Sequence, residues 1–141
     1  MSLQQDIAEA VKDVLNGTTF DPAFVATRQW RPTAELNDLE TLTVTVVPVA
    51  LAIEPGTRSD HYQTVDVQIG VMRRLTGNGD AADIAEIVDL GEAIADHLRF
   101  RKLTSPAASF VRLAMAGPVQ EHLDAARTVT VVLTASYRVL R

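Results

Sequence analysis

The residues that could carry chemistry are few, and their spacing is unfavourable. The three histidines, His61, His97 and His122, lie far apart, and none has a second histidine or a carboxylate four residues away. That spacing places two ligands on one helix face, as zinc sites often require. Cysteine is absent, which removes disulfides, thiol nucleophiles and thiolate metal ligands together. No Gly-x-Ser-x-Gly elbow is present, and no serine carries local signs of activation by a base. Gly77-Asn78-Gly79-Asp80 precedes a helical pattern as a phosphate loop would. It lacks the Gly-Lys-Ser/Thr of a Walker loop and the third glycine of a dinucleotide loop, and Asp80 and Asp83 would repel phosphate. A turn followed by a helix cap accounts for it. Asp83, Glu86, Asp89, Glu92 and Asp96 spread across the width of a helix face rather than converging from one loop as a cation cage does. They read as a solvated face or a docking face for a basic partner. Asn16-Gly17-Thr18 matches a glycosylation acceptor, but no secretory leader accompanies it, so the match reads as coincidence. The expectation is a protein with no catalytic residue, no metal and no cofactor: not an enzyme.

The balance of 13 basic and 18 acidic residues gives a net charge of −5. Affinity for duplex nucleic acid comes from cations that displace condensed counterions, so specific nucleic-acid binding is not expected. Eleven of the 13 basic residues are arginine, the better cation for interface ion pairs, although a GC-rich coding sequence would produce the same bias. Asp6, Glu9 and Asp13 interrupt the N-terminal apolar pattern, and no apolar run approaches 18 residues. Neither a signal peptide nor a membrane span is expected. At 141 residues the chain suits one domain, 1–141, able to stand without covalent staples.

The elements that must position any site follow from periodicity. Leu3, Ile7, Val11, Val14 and Leu15 recur at helical spacing, and Asn16-Gly17 should end that helix through a left-handed glycine. A short strand near Val25–Trp30 closes at Arg31-Pro32. Beyond Leu36, Leu39 and Leu42, a long strand runs to Ile53. Val44 and Val46 alternate with Thr43 and Thr45, and then the phase swaps, with Val47, Val49, Leu51 and Ile53 opposite Pro48, Ala50 and Ala52. Side chains alternate with period two, so the swap requires a bulge or bend. After the turn-rich loop Glu54–Asp60, a third strand points Val65, Val67, Ile69 and Val71 inward. A second helix carries Ile84, Ile87, Val88, Gly91, Ile94, Ala95 and Leu98 as one stripe, with the five acids opposite. Phe100–Ser109 reads as a flexible loop, Ser109–Met115 as a strand and Val119–Ala125 as a short helical turn. The last strand alternates Val129, Val131, Leu133, Ala135, Tyr137 and Val139 against polar residues. The order α-β-β-β-α-β-β predicts an α+β fold: a two-layer sandwich with two helices on one face of a mixed or antiparallel sheet of about five strands, its other face partly wet.

Two surfaces stand out. Thr43, Thr45, Thr64, Gln68, Thr128, Thr130 and Thr134 share a polar sheet face. The stretch Val47–Ile53 is apolar on both faces, which one helix layer cannot cover. It is either a central buried strand or a subunit interface formed by Val47, Val49, Leu51 and Ile53.

Trp30-Arg31-Pro32, the leucines 36, 39 and 42 leading into Val44–Val49, the Arg58 loop before an amphipathic strand, and the closing Val131–Arg138 strand with Tyr137 together resemble bacteriophage tail-terminator proteins, also called neck or tail-completion proteins. The resemblance extends over most of the chain as a pattern of apolar spacing. It implies a homo-oligomer, a hexameric ring, that stops tail-tube growth and joins the tube to the head connector. It further implies partners among tail-tube and head-connector proteins, no active site, and residence in the host cytoplasm during assembly and then in the virion. Arg58, Arg101 and Lys102 are the candidate partner-contact residues. The lumen cations expected of a ring around a DNA path are not assignable. The alternatives are another head-completion or neck protein, or a small-molecule binding domain or hydrolase with the threonine-rich face lining a pocket.

Overall fold

A computed structural model describes residues 2–20, 22–30, 42–55, 61–75, 80–99, 101–104, 107–120, 123 and 127–140. Its elements are α1 (Leu3–Asn16), β1 (Ala26–Arg28), β2 (Thr43–Pro55), β3 (His61–Arg74), α2 (Asp80–Leu98), β4 (Leu103–Thr104), β5 (Ala107–Ala116) and β6 (Thr128–Leu140). The six strands form one sheet in the order β1-β2-β3-β6-β5-β4. Among the described strands only the β1–β2 pair is parallel. The fold is α+β as expected, but the mixed sheet has six strands and curls into half a barrel. The sixth strand, β4, lies within the stretch expected to be loop. Its two residues are too short to show periodicity, yet Leu103 is buried.

Ser2 opens α1 with a reciprocal capping box: its hydroxyl accepts from the Gln5 N–H, and the Gln5 side chain accepts from the Ser2 N–H. Ile7, Val11 and Leu15 point from this helix into the core. Gly17 ends α1 differently from expectation, since its φ of −80° is right-handed. Its N–H instead donates to the Asp13 carbonyl at 2.9 Å, continuing the helical pattern for one more bond. The Asn16 amide then holds β1 in place. Its Nδ2 donates to the Ala26 carbonyl at 3.1 Å and its Oδ1 accepts from the Ala26 N–H at 2.7 Å. An Asn16 engaged at both ends of its amide has a structural use, consistent with reading the glycosylation match as coincidence.

The helices share one face of the sheet, with α1 over β1, β2 and β3, and α2 over β6, β3 and β5. Val44, Val46, Val65, Val67, Ile69, Val71, Val129, Val131, Leu133, Ala135 and Tyr137 face them and are buried. Each such aliphatic side chain contributes about 1.5–3 kcal/mol by leaving water. The stripe on α2 is rotated from the expected one. Leu90 joins Ile87, Gly91, Ile94 and Leu98 in the interior, and Asp83 is buried rather than solvated. Arg73 of β3 explains this exception: its guanidinium lies 3.8 Å from the Asp83 carboxylate and 2.9 Å from Glu86.

Tyr137 is fully buried against Phe110, ring centroids 6.1 Å apart and nearly perpendicular. Its hydroxyl has no hydrogen-bond partner among the described residues, and burial pushes its pKa up to about 12. An unsatisfied buried hydroxyl carries a desolvation cost with no return. Tyr137→Phe is therefore expected to stabilise the fold by about 1 kcal/mol in urea unfolding. A loss of stability would show that the hydroxyl is paired.

Candidate assembly surface

The expected phase swap in β2 is a bulge. Pairing with β3 shifts between Pro48 and Ala50, leaving Val49 as the extra residue. Before it, Val44 and Val46 share the helix-side face with Val71 and Ile69; after it, Leu51 pairs with Val65 on that same face. Val47 pairs with Gln68 and lies on the opposite face with Ala50 and Ala52. The expected stripe of Val47, Val49, Leu51 and Ile53 is thus split. Val47 is 2% exposed and belongs to the interior of the monomer, whereas Val49, Leu51 and Ile53 are 47%, 42% and 63% exposed. Leu51 and Ile53 lie on the helix side of the sheet and stay exposed there.

The edge of β2 is also open. β1 covers only Val44–Val46, and the Gln29 N–H adds one bond to the Val46 carbonyl. From Val47 to Pro55 no strand among the described residues pairs with this side of β2. Trp30 stands exposed just after β1, where that edge opens, with the Arg28 guanidinium 5.0 Å from its ring. An extended apolar edge with unpaired backbone groups is a template for another chain.

Arg58 lies outside the described residues, as do Arg31 and Pro32. Arg101 and Lys102 are exposed beside Asp13 and Val14 of α1, where they line a shallow hollow. Arg101 also has a local task, because its Nε donates to the His97 carbonyl at 3.2 Å and so satisfies an end carbonyl of α2.

The two described histidines, His61 and His97, fall in separate places. His61 Nε2 contacts Gln63 Nε2 at 3.0 Å near the start of β3, and His122 lies outside the described residues. His97 joins the two helices, with Nε2 2.9 Å from the Thr18 hydroxyl and the ring edge-on to Phe20. Burial first, and the positive Arg101 second, hold its pKa below the usual histidine value. The unfolded chain therefore takes up a proton before the folded one as pH falls. The stabilisation is complete above about pH 6.5 and is lost as pH drops through the lower folded value. The melting temperature is expected to fall on acidification below neutrality, and less steeply in His97→Gln. Equal slopes in the two proteins would remove His97 as the cause.

On the face away from the helices, the register aligns all seven residues of the expected polar face. That face is not uniformly wet: Thr45, Thr128 and Thr130 are buried. Its other end holds a hollow of about 280 Å³ lined by β2, β3, β6 and β5, including Glu54, Asp66, Arg112, Ser136 and Arg138. Four adjacent strands around one hollow require the sheet to curve inward there. Arg138 lies over the Tyr62 ring at 5.1 Å, and the Ser136 hydroxyl donates to Asp66 at 2.5 Å. Ser136 is 1% exposed and spends its proton on that bond, a poor arrangement for a nucleophile. Among the described residues no three His, Asp or Glu side chains gather as a metal cage, and no helix is long and apolar enough to cross a membrane. Sequence reading missed Glu54 and Arg112, since nothing local indicates that they stand on opposite edges of one sheet.

The fold belongs to the α+β class in which helices cover one face of a curled mixed sheet. No known protein-family model matches the chain, and no curated protein matches it in sequence. In structure it is similar to a chain from the virion of a native gene transfer agent (GTA) particle, with a TM-score of 0.52 and 18% sequence identity, over 99% of this chain and 96% of that one. The likeness is one of fold.

Proposed function

We propose that this protein is a structural component of a phage or phage-like particle, acting as a tail terminator: a ring of identical copies that caps the tail tube and joins it to the head connector. The observation that carries this reading is the end-to-end likeness of fold to a chain of a gene transfer agent virion. The exposed Val49, Leu51 and Ile53 on an open strand edge support self-association, and the resemblance of the Trp30, Leu42–Val49 and Val131–Arg138 segments points to the terminator position. The role is mechanical and asks for no catalytic group, metal or cofactor. Assembly takes place in the host cytoplasm and the product resides in the virion.

Mass photometry of the purified protein, alone and with tail-tube protein from the same particle, tests this reading. A closed species of six copies, formed alone or on the tube end, is the expected result. A protein that stays monomeric under both conditions would overturn it.

A further inference from the structure

The second edge of the sheet is open as well. β4 covers only Ala107 and Ala108 of β5, and no other strand among the described residues pairs with that side of β5 from Ser109 to Ala116. Three antiparallel pairings separate β2 from β5, so the two edge strands run in opposite directions. A copy related by rotation about an axis roughly along the strands therefore sets its β2 antiparallel to the β5 of its neighbour. Each edge carries a bulge, at Val49 in β2 and between Phe110 and Arg112 in β5. Bulges interrupt pairing, which leaves the regular windows Ala50–Glu54 and Arg112–Ala116.

Resting on the proposed self-assembly, we propose that the ring is closed head to tail by these two windows, the β2 edge of one copy adding to the β5 edge of the next. Laid antiparallel along their full length, the windows match in every pair. Ile53 falls opposite Leu113 and Leu51 opposite Met115 on the helix side. Ala52 meets Ala114 and Ala50 meets Ala116 on the other face, and Glu54 meets Arg112. The register within each chain already assigns these residues to those faces: Leu51 pairs with Val65, Leu113 with Ala135 and Met115 with Leu133, all on the helix side. The receiving edge also has room. A groove of about 390 Å³ between α2 and β5, lined by Ala95, Phe110 and Leu113 with Arg99 and Asp96 at its border, lies where an incoming Ile53 would enter. Exposed apolar side chains on one edge thus have an apolar groove on the other. The acid at the end of one window has an arginine at the matching end of its partner. Pairing β2 with a second β2 would instead bring Glu54 toward like charge or toward alanine, and would leave the groove empty.

The chain has no cysteine, so engineered thiols report the contact without background. Ala52→Cys and Ala114→Cys replace exposed small residues on the face away from the helices. Under mild oxidation by glutathione disulfide, each single variant alone is expected to stay unlinked. The equimolar mixture should give a disulfide-linked dimer, and the double variant a ladder that ends at the ring. Linked dimers from Ala52→Cys alone, as abundant as those in the mixture, would overturn the head-to-tail arrangement in favour of a two-fold contact. A wild-type protein that assembles while the mixture stays unlinked would overturn the β2–β5 pairing but leave the proposed function intact. A wild-type protein that never assembles, alone or on tubes, would overturn both.

Discussion

Leu51→Asp is expected to leave the chain folded and to abolish its assembly. Leu51 lies on the helix side of the sheet, yet the residue is 42% exposed in the monomer. A carboxylate there stays in water, so the melting temperature should change little. In an assembly the same position would be covered, and the variant would lose roughly 1.5–3 kcal/mol of leucine burial per contact. The desolvation of an unpaired carboxylate adds several kcal/mol more. A ring repeats that loss at each interface, so no closed species should remain at concentrations where the wild type closes. Circular dichroism and mass photometry on one preparation separate the two effects. An unfolded Leu51→Asp would mean that the residue belongs to the monomer core. Val47 is the useful contrast, because it is buried and Val47→Asp should destabilise the fold itself.

Gly91→Leu should have the largest effect on stability. Helix α2 packs closely on the sheet at this residue. A Cβ at Gly91 would stand 3.0 Å from Val131 Cγ1 and 3.1 Å from Met115 Sδ. Alanine requires a shift of a few tenths of an ångström, but leucine adds three further carbons to a space already filled. Overpacking a core of this kind costs up to about 3 kcal/mol and sometimes more, a large share of the roughly 5–15 kcal/mol that holds a domain together. Urea unfolding of Gly91→Leu should show a lowered midpoint, with Gly91→Ala intermediate. A wild-type midpoint in Gly91→Leu would show that the helix can lift from the sheet without penalty.

Wherever one side chain repeats with a fixed period against a buried partner, the fold was legible in the residues. This holds for Ile7, Val11 and Leu15 in α1, Val65–Val71 in β3, and Val129–Val139 in β6. It also holds for the bulge in β2, because the phase change that begins at Val47 demands one and Pro48 is tolerated beside it. The buried Asp83 was not legible, since its burial depends on Arg73, ten residues earlier on another element. Val47 was misplaced because the bulge falls at Val49, beyond the change of residue type at Val47, so Val47 stays in phase with Thr45. The candidate assembly surface was half legible. The excess of apolar residues between Val47 and Ile53 pointed either to a buried central strand or to a subunit interface. Among the described residues it takes the strand order together with the short reach of β1 and β4 to show that β2 and β5 carry open edges, and both are long-range properties that no local spacing encodes.

Tube protein from the same particle, polymerised with and without this chain and imaged by negative-stain electron microscopy, gives the length distribution directly. The proposed role requires shorter tubes, each bearing one ring at one end, and no such effect from Leu51→Asp. Unchanged tube lengths with bare ends, in the presence of excess folded protein, would contradict it.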